Sequence, residues 1–201
     1  MTRMRVVLPA VIALGSNQTR ESGGILHSRE ELLREAVREL DALDGVRVTA
    51  ASGIVETPAL KLDGVDETAP SYLNAVVLAR VALSPEDFLA ALHGIEANLG
   101  RVRKEVWGDR TLDLDLIDFG GLIRDNDTIT LPHPRAWQRA FVLAPWLQVQ
   151  PDAVLPGHGA GRHGPGRHGR VDALLAATTD RVSEYPAAPL FEASTIDEVT
   201  Q

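Results

Sequence analysis

Apolar and polar residues alternate most regularly between residues 111 and 116, where every second residue is a leucine. A period of two is typical of a strand with one buried face. The three leucines are therefore predicted to face a core, while Asp113 and Asp115 share the opposite face with Thr111. Two carboxylates at this spacing lie roughly 6–7 Å apart and repel each other unless a cation compensates them.

The hydrophobic pattern upstream predicts five elements before this strand. They are a strand over 6–14, a helix from Ser28 to Gly45, strands over 46–56 and 72–83, and a helix over 84–100. Ser28 and Glu31 have the spacing of a capping box, which marks the start of the first helix. The order βαββαβ predicts an α+β fold with a ferredoxin-like core, in which helices pack on an antiparallel sheet.

The C-terminal third is less regular. It is predicted to contain a further strand over 122–131 and a helix over 134–149 that is interrupted at Pro145. A loop rich in Gly, His and Arg over 157–170, a short final helix over 171–177 and an acidic tail over 178–201 follow. We therefore expect one domain, residues 1–177, followed by extra C-terminal residues that are loosely attached.

Composition narrows the possible partners. The net charge of −8 argues against general attraction to nucleic acid or to an anionic membrane. Cysteine is absent, which excludes disulfides, thiolate metal sites and cysteine nucleophiles. No segment is long enough to span a bilayer, and the apolar run after Arg5 lacks a cleavage site. We expect a cytoplasmic protein, a monomer, with small-molecule partners.

Four basic residues stand immediately before the carboxylate pair and contrast with the acidic background: Arg101, Arg103, Lys104 and Arg110. Cations beside two carboxylates suggest a metal-bound polyphosphate, and magnesium prefers such oxygen ligands. A solvated strand face is the alternative for Asp113 and Asp115, and from these residues alone it stays open.

Two further segments could form a pocket. Thr57-Pro58 and Tyr72-Leu73-Asn74 combine a rigid loop, an aromatic face and an amide, which suits a planar heterocycle. Beyond them, His133 and Arg139 could bind phosphate. Ordinary packing is the alternative for both segments. The histidines of the Gly/His/Arg tract could bind a transition metal, but a solvated loop is favoured.

Together these segments resemble a known family. The motifs occur in the order Ala13-Leu14-Gly15-Ser16-Asn17, Glu56-Thr57-Pro58, Tyr72-Leu73-Asn74-Ala75-Val76, Gly100-Arg101-Val102-Arg103, Trp107-Gly108-Asp109-Arg110-Thr111-Leu112-Asp113-Leu114-Asp115 and Leu131-Pro132-His133-Pro134-Arg135. Over roughly residues 6 to 155 the chain is similar to the 6-hydroxymethyl-7,8-dihydropterin pyrophosphokinases of folate biosynthesis. The resemblance implies transfer of the β,γ-diphosphate of ATP to the pterin, with two magnesium ions and release of AMP.

The resemblance also implies roles for individual residues. The implied catalytic residues are Arg101, Arg110, Asp113 and Asp115, of which the two aspartates also hold the metal. The implied pterin-binding residues are Thr57, Pro58, Leu60, Tyr72, Asn74, Trp107 and Phe141. The implied ATP-binding residues are Glu96, Arg103, Lys104, Leu116, Thr130, His133 and Arg139.

Some positions depart from the family pattern. His93 stands where a glutamine can contact ATP, and residues 18–27 are longer than the usual turn. The tract over 157–170 and the tail match nothing in the family core. Two other hypotheses are another magnesium-dependent Asp-x-Asp transferase, of nucleotidyl or glycosyl groups, and a non-enzymatic ferredoxin-like binding module.

Overall fold

In the computed structural model, the chain is described over residues 6–61, 64–66, 70–100, 111–159 and 162–192. The strands of the main sheet are β1 (Leu8–Ser16), β4 (Val46–Ala51), β5 (Ile54–Thr57), β8 (Tyr72–Val81), β9 (Asp113–Phe119) and β14 (Ser183–Tyr185). Four two-stranded ribbons are formed by β2 (Arg20–Ser22) with β3 (Ile25–His27), β6 (Ala59–Lys61) with β7 (Gly64–Asp66), β10 (Arg124–Asp125) with β11 (Thr130–Leu131), and β12 (Val154–Gly159) with β13 (Arg162–Arg170). The helices are α1 (Arg29–Ala42), α2 (Pro85–Asn98), α3 (Ala140–Val149) and α4 (Val171–Ala176), with a 3₁₀ turn at Ala136–Gln138.

The main sheet has the order β14-β5-β8-β1-β9, and β4 also pairs with β8. All of these pairs are antiparallel. With α1 between β1 and β4, and α2 between β8 and β9, the chain follows the βαββαβ order with β1 and β8 in the centre. The predicted α+β, ferredoxin-like core is confirmed.

Helices cover both faces of the sheet. On one face the apolar stripes of α1 and α2 pack against alternate residues of β1, β8 and β9, including Ile12, Val77 and Leu114. On the other face α3 and the first residue of α4 pack against the remaining positions, such as Val11 and Val76. The predicted capping box is present at α1, where Ser28 and Glu31 each accept the other's backbone N–H. The sheet thus has one face for the larger core and one for α3.

The alternation in β9 is confirmed. Leu112, Leu114 and Leu116 are at most 4% exposed and belong to the core under α1 and α2. Asp113 and Asp115 are half-buried on the opposite face. Ile117 lies on the same face as the two aspartates and packs in the second core. A bulge at Ile117 then shifts the phase, so that Phe119 rather than Asp118 enters the first core, and the period of two ends at Ile117.

The segment predicted as one strand over 46–56 is divided at Ser52 and Gly53. The Ser52 backbone N–H donates to the Val76 carbonyl, and its Oγ accepts from the Val76 N–H, both at 2.9 Å. Ser52 thereby replaces regular pairing with β8, and the chain enters β5 at a new register. Segment 134–149 is likewise divided, into the 3₁₀ turn and α3, and α3 continues through Pro145.

The prediction of a loop over 157–170 was wrong. Its described residues, 157–159 and 162–170, belong to the antiparallel ribbon of β12 and β13, in which Val154 pairs with Arg170 and His158 with His163. The low-complexity sequence provided no signal for this strand pair. One end of the pair is buried, since Leu155 is inaccessible to solvent and its partner Gly169 is also buried. The ring of His158 lies 5.9 Å from that of Trp137.

The prediction that residues after 177 are loosely attached was also wrong for the part that the structure describes. β14 extends the main sheet by pairing with β5. Leu190 is only 7% exposed within the core, and both Nη atoms of Arg34 donate at 2.7 Å to the carbonyls of Ala188 and Pro189. Burial of apolar side chains and ladder pairing hold this segment in place, which composition alone did not indicate. In the described part of the chain no helix combines the length and apolarity needed to cross a membrane.

Candidate active site

Three residues form one row across the sheet on the face that α3 partly covers. Asn74 of β8 is in register with Gly15 of β1, and Gly15 is in register with Asp113 of β9. Neighbouring strands are about 4.8 Å apart, so the two side chains stand on one face at roughly 10 Å separation. Between them Gly15 contributes no side chain, and a Cβ there would lie 3.4 Å from the Asn74 Oδ1. The row is a groove with Gly15 as its floor.

The next row repeats this arrangement with Val76, Ala13 and Asp115. A small residue again lies in the central strand beside a carboxylate of β9. Ala13 and Val76 are buried in the core under α3, so the exposed part of this strip is at Gly15, beside Asp113. Ala13 and Gly15 both belong to the first motif of the family resemblance, but neither was assigned to the site; small residues alternating in a buried strand were the available signal.

Backbone contacts fix the carboxylate pair. The Leu114 N–H, between the two aspartates, donates at 2.8 Å to Oε1 of Glu96, which is 2% exposed. The Ser16 Oγ donates at 2.6 Å to the Thr111 carbonyl, joining the end of β1 to the start of β9. Glu96 was predicted to contact ATP, and here its carboxylate supports β9 from the opposite face of the strand.

Asp115 lies beside two basic side chains. Its Oδ2 is 3.6 Å from Nη1 of Arg139, and its Oδ1 is 3.9 Å from Nε2 of His133. Burial lowers the pKa of His133, and the neighbouring Asp115 opposes that effect. The Nδ1 of this ring accepts the Arg135 backbone N–H at 3.2 Å, so a neutral ring carries its proton on Nε2, towards Asp115.

A cleft of about 250 Å³ opens beside the carboxylate pair. Three of the predicted ATP-binding residues line it, namely Leu116, Thr130 and His133, together with Asp113 and Asp115. His93 and Leu89 of α2 form part of the same wall. Leu89 was missed because its helical spacing is that of an ordinary core residue. The mixed apolar and polar lining suits a heterocycle carrying phosphates.

The predicted pterin residues lie towards the other edge of the same face. The Asn74 Nδ2 donates at 3.1 Å to Oγ1 of Thr57, and Thr57 is in register with Tyr72. Phe141 of α3 lies under the guanidinium of Arg139, which is 5.4 Å from the ring centre. Arg139 therefore contacts both Asp115 and Phe141. Pro58 follows Thr57 and is exposed, and Leu60 belongs to β6.

Five predicted residues fall outside the described residues: Arg101, Arg103, Lys104, Trp107 and Arg110. Their roles stay predictions.

The donor set agrees with magnesium. Within the described residues no group of three or more His, Asp or Glu side chains is placed to hold a metal by itself. Two carboxylates on one strand suit a hard cation that completes its shell with phosphate oxygens and water. A transition-metal centre needs more protein ligands than this pair offers.

Comparison with known proteins agrees with this geometry. The family model described as 7,8-dihydro-6-hydroxymethylpterin-pyrophosphokinase matches residues 11–151. The 2-amino-4-hydroxy-6-hydroxymethyldihydropteridine pyrophosphokinase of Synechocystis sp. is 38% identical over 150 residues, 75% of this chain and 70% of that protein. The enzyme of the same name from Bacillus subtilis is 38% identical over 140 residues, 70% of this chain and 77% of that protein.

Solved structures show the same fold. A Plasmodium falciparum HPPK-DHPS structure has a TM-score of 0.58 at 12% identity, and the match covers 87% of this chain and 46% of that one. The chain thus spans about half the length of that structure. On the extent of the family match and the identity to curated relatives, this chain belongs to the 7,8-dihydro-6-hydroxymethylpterin-pyrophosphokinase family.

Proposed function

We propose that this chain transfers the β,γ-diphosphate of ATP to 6-hydroxymethyl-7,8-dihydropterin, forming the pterin diphosphate and AMP in folate biosynthesis. The observation that carries the proposal is the row of Asn74, Gly15 and Asp113. It places an amide suited to a heterocycle and a carboxylate suited to metal-bound phosphate on either side of an open floor. Family membership supplies the substrates.

ATP occupies the cleft beside β9 in this proposal. Leu116 and Thr130 flank the adenine, while His133 and Arg139 face the phosphates. Arg139 lies next to the Asp115 carboxylate, so it is already held at the position where phosphate charge must be compensated. Glu96 keeps Leu114, and with it the two aspartates, at a fixed position in the strand.

The pterin lies over Gly15 in this proposal. The amide of Asn74 is oriented because its Nδ2 donates to Thr57, which leaves its Oδ1 towards the groove to accept a ring N–H. Tyr72 and Phe141 supply aromatic faces for stacking on the planar ring. Backbone groups at Thr57, Pro58 and Leu60 complete the recognition.

The reaction forms one bond and breaks one. The hydroxymethyl oxygen attacks the β-phosphorus, the bond from the β-phosphorus to the bridging oxygen of the α-phosphate breaks, and AMP leaves with that oxygen. The hydroxyl loses its proton as the new O–P bond forms, and Asp113, the carboxylate on the groove side, is placed to accept that proton and pass it to water. Positioning and charge compensation dominate such transfers.

Asp113 and Asp115 would hold two magnesium ions, which supply charge compensation on the phosphates when bound. The basic residues Arg101, Arg103, Lys104 and Arg110 add positive charge for the transferred group, and Trp107 covers the pterin and excludes water. We also propose that the enzyme acts as a monomer in the cytoplasm.

One incubation tests the activity. The full chain is incubated with ATP, magnesium chloride and 6-hydroxymethyl-7,8-dihydropterin, and the nucleotides are separated. AMP that forms only when the pterin is present supports the proposal. ADP as the product, or ATP consumption that is independent of the pterin, contradicts it.

A further inference from the structure

A polar cluster lies directly behind the pterin side of the site. It consists of Arg29 at the first turn of α1, Glu56 of β5 and Ser71 immediately before β8. Glu56 belongs to one of the family motifs, but none of the three was assigned a role from the sequence, and none lines the cleft beside β9. Their contacts join three elements at one point.

The contacts are directional and mutually supporting. Nη1 of Arg29 donates to the Ser71 Oγ at 2.9 Å and to the Ser71 carbonyl. The Ser71 Oγ in turn donates to Oε1 of Glu56, which lies 3.7 Å from the same guanidinium nitrogen. The Arg29 and Glu56 side chains are 24% and 34% exposed, so water screens this pair less than it screens a fully exposed surface pair.

Each partner of Arg29 is next to a residue of the proposed pterin site. Glu56 precedes Thr57, and Ser71 precedes Tyr72; Thr57 and Tyr72 are register partners at the ends of their strands. Successive side chains of a strand point to opposite faces. Arg29 therefore acts from the α1 side, while Thr57 and Asn74 face the groove.

The strand that carries Thr57 needs such support. β5 has four residues and pairs with β8 at only three positions, of which Thr57↔Tyr72 is the last. Terminal pairs of a short ladder fray readily. The hydrogen bond from Asn74 to Thr57 depends on this last pair staying closed.

We propose that Arg29 is a positioning residue for the pterin site: by binding Ser71 and Glu56 together it fixes Thr57 and Tyr72 against each other. Naming the pterin as the affected ligand rests on the proposed function. The ATP side of the face does not depend on Arg29, because His133, Arg139 and Glu96 are held by contacts of their own.

The test compares Arg29→Ala and Arg29→Lys with Arg38→Ala. Arg38 is on the same helix and pairs with Glu35, and its side chain is 69% exposed to solvent. We expect Arg29→Ala to raise the KM for the pterin roughly tenfold, with the KM for ATP changed less than about twofold. Lysine cannot bind several acceptors as the guanidinium fork does, so Arg29→Lys gives an intermediate KM. Arg38→Ala leaves both constants as in the wild type.

Amide hydrogen exchange of β5 and of residues 72–74 gives a readout that needs no turnover. Arg29→Ala should accelerate exchange there, whereas Arg38→Ala should not. Equal increases of both KM values, or an unchanged pterin KM with unchanged exchange, overturn the positioning role. If the wild type makes no AMP, the proposed function fails, and the exchange comparison still decides whether Arg29 fixes the two strand ends.

Discussion

The carboxylate of Glu96 accepts the backbone N–H of Leu114 at 2.8 Å, at a site where Glu96 is 2% exposed. The bond holds β9 between the two residues proposed to bind metal. A buried acceptor on α2 thus determines the position of Asp113 and Asp115.

We predict that Glu96→Ala lowers stability by about 1–3 kcal/mol and weakens magnesium-dependent ATP binding, because a buried N–H loses its acceptor. Glu96→Gln keeps an acceptor oxygen and is the matched control. Urea unfolding and calorimetric titration of ATP with magnesium measure the two effects. If both variants have the same stability and the same affinity for ATP with magnesium, the hydrogen bond from Leu114 to Glu96 does not position the strand.

The second prediction concerns Gly15. Its backbone φ is not in the left-handed region, so alanine is allowed by the strand, but the new Cβ stands on the groove floor 3.4 Å from the Asn74 Oδ1. We expect Gly15→Ala to raise the pterin KM roughly tenfold through lost contact with the floor. Gly94→Ala is the control, since a Cβ there meets nothing within 4 Å. A pterin KM that is unaffected by Gly15→Ala contradicts the placement of the ring over Gly15.

The third prediction concerns the C-terminal segment. Leu190→Ala removes a side chain that is 7% exposed in the core, and we expect a loss of about 2–4 kcal/mol of unfolding free energy. Val6→Ala is the control because Val6 is 73% exposed. Chemical denaturation of the full chain measures both. If Leu190→Ala loses no more unfolding free energy than Val6→Ala, the segment around Leu190 is loosely attached and the prediction is wrong.

The fourth prediction is a pH dependence. Burial raises the pKa of Asp118, although the N–H groups of Gly121 and Phe119 oppose this. The folded state therefore binds the proton of the Asp118 carboxyl more tightly than the unfolded state does. As the pH rises from the ordinary carboxyl range through the raised pKa, the contribution of Asp118 to stability falls. Asp118→Asn removes this dependence, and its unfolding free energy relative to wild type should improve with pH. If the difference in unfolding free energy between Asp118→Asn and wild type is constant from pH 4 to 8, roughly the range above an ordinary aspartate pKa, this pH dependence is contradicted.

Local sequence patterns were sufficient to predict the ferredoxin-like core. The alternating leucines of β9 and the capping box at Ser28 are properties of neighbouring residues, and both were confirmed. The row of Asn74, Gly15 and Asp113 brings together three strands, and its register depends on long-range pairing that one strand does not encode. The position of Gly15 between Asn74 and Asp113 was therefore not predicted.

The two wrong predictions have a related cause. A tract rich in Gly has weak strand preference, and β12 and β13 form a ribbon because the two strands pair with each other. β14 is three residues long and forms because β5 presents an edge. In both places tertiary pairing outweighs local propensity. The cluster of Arg29, Glu56 and Ser71 could not be predicted from local sequence patterns for the same reason. Arg29 is far in sequence from the other two, and tertiary contacts bring them together.

The central claim, transfer of the β- and γ-phosphates together, is tested most directly with ATP labelled at the β-phosphorus. After incubation with magnesium and 6-hydroxymethyl-7,8-dihydropterin, the label should move to the pterin product and the AMP should be unlabelled. Label that stays with the nucleotide as ADP, while only the γ-phosphate moves, would contradict the account.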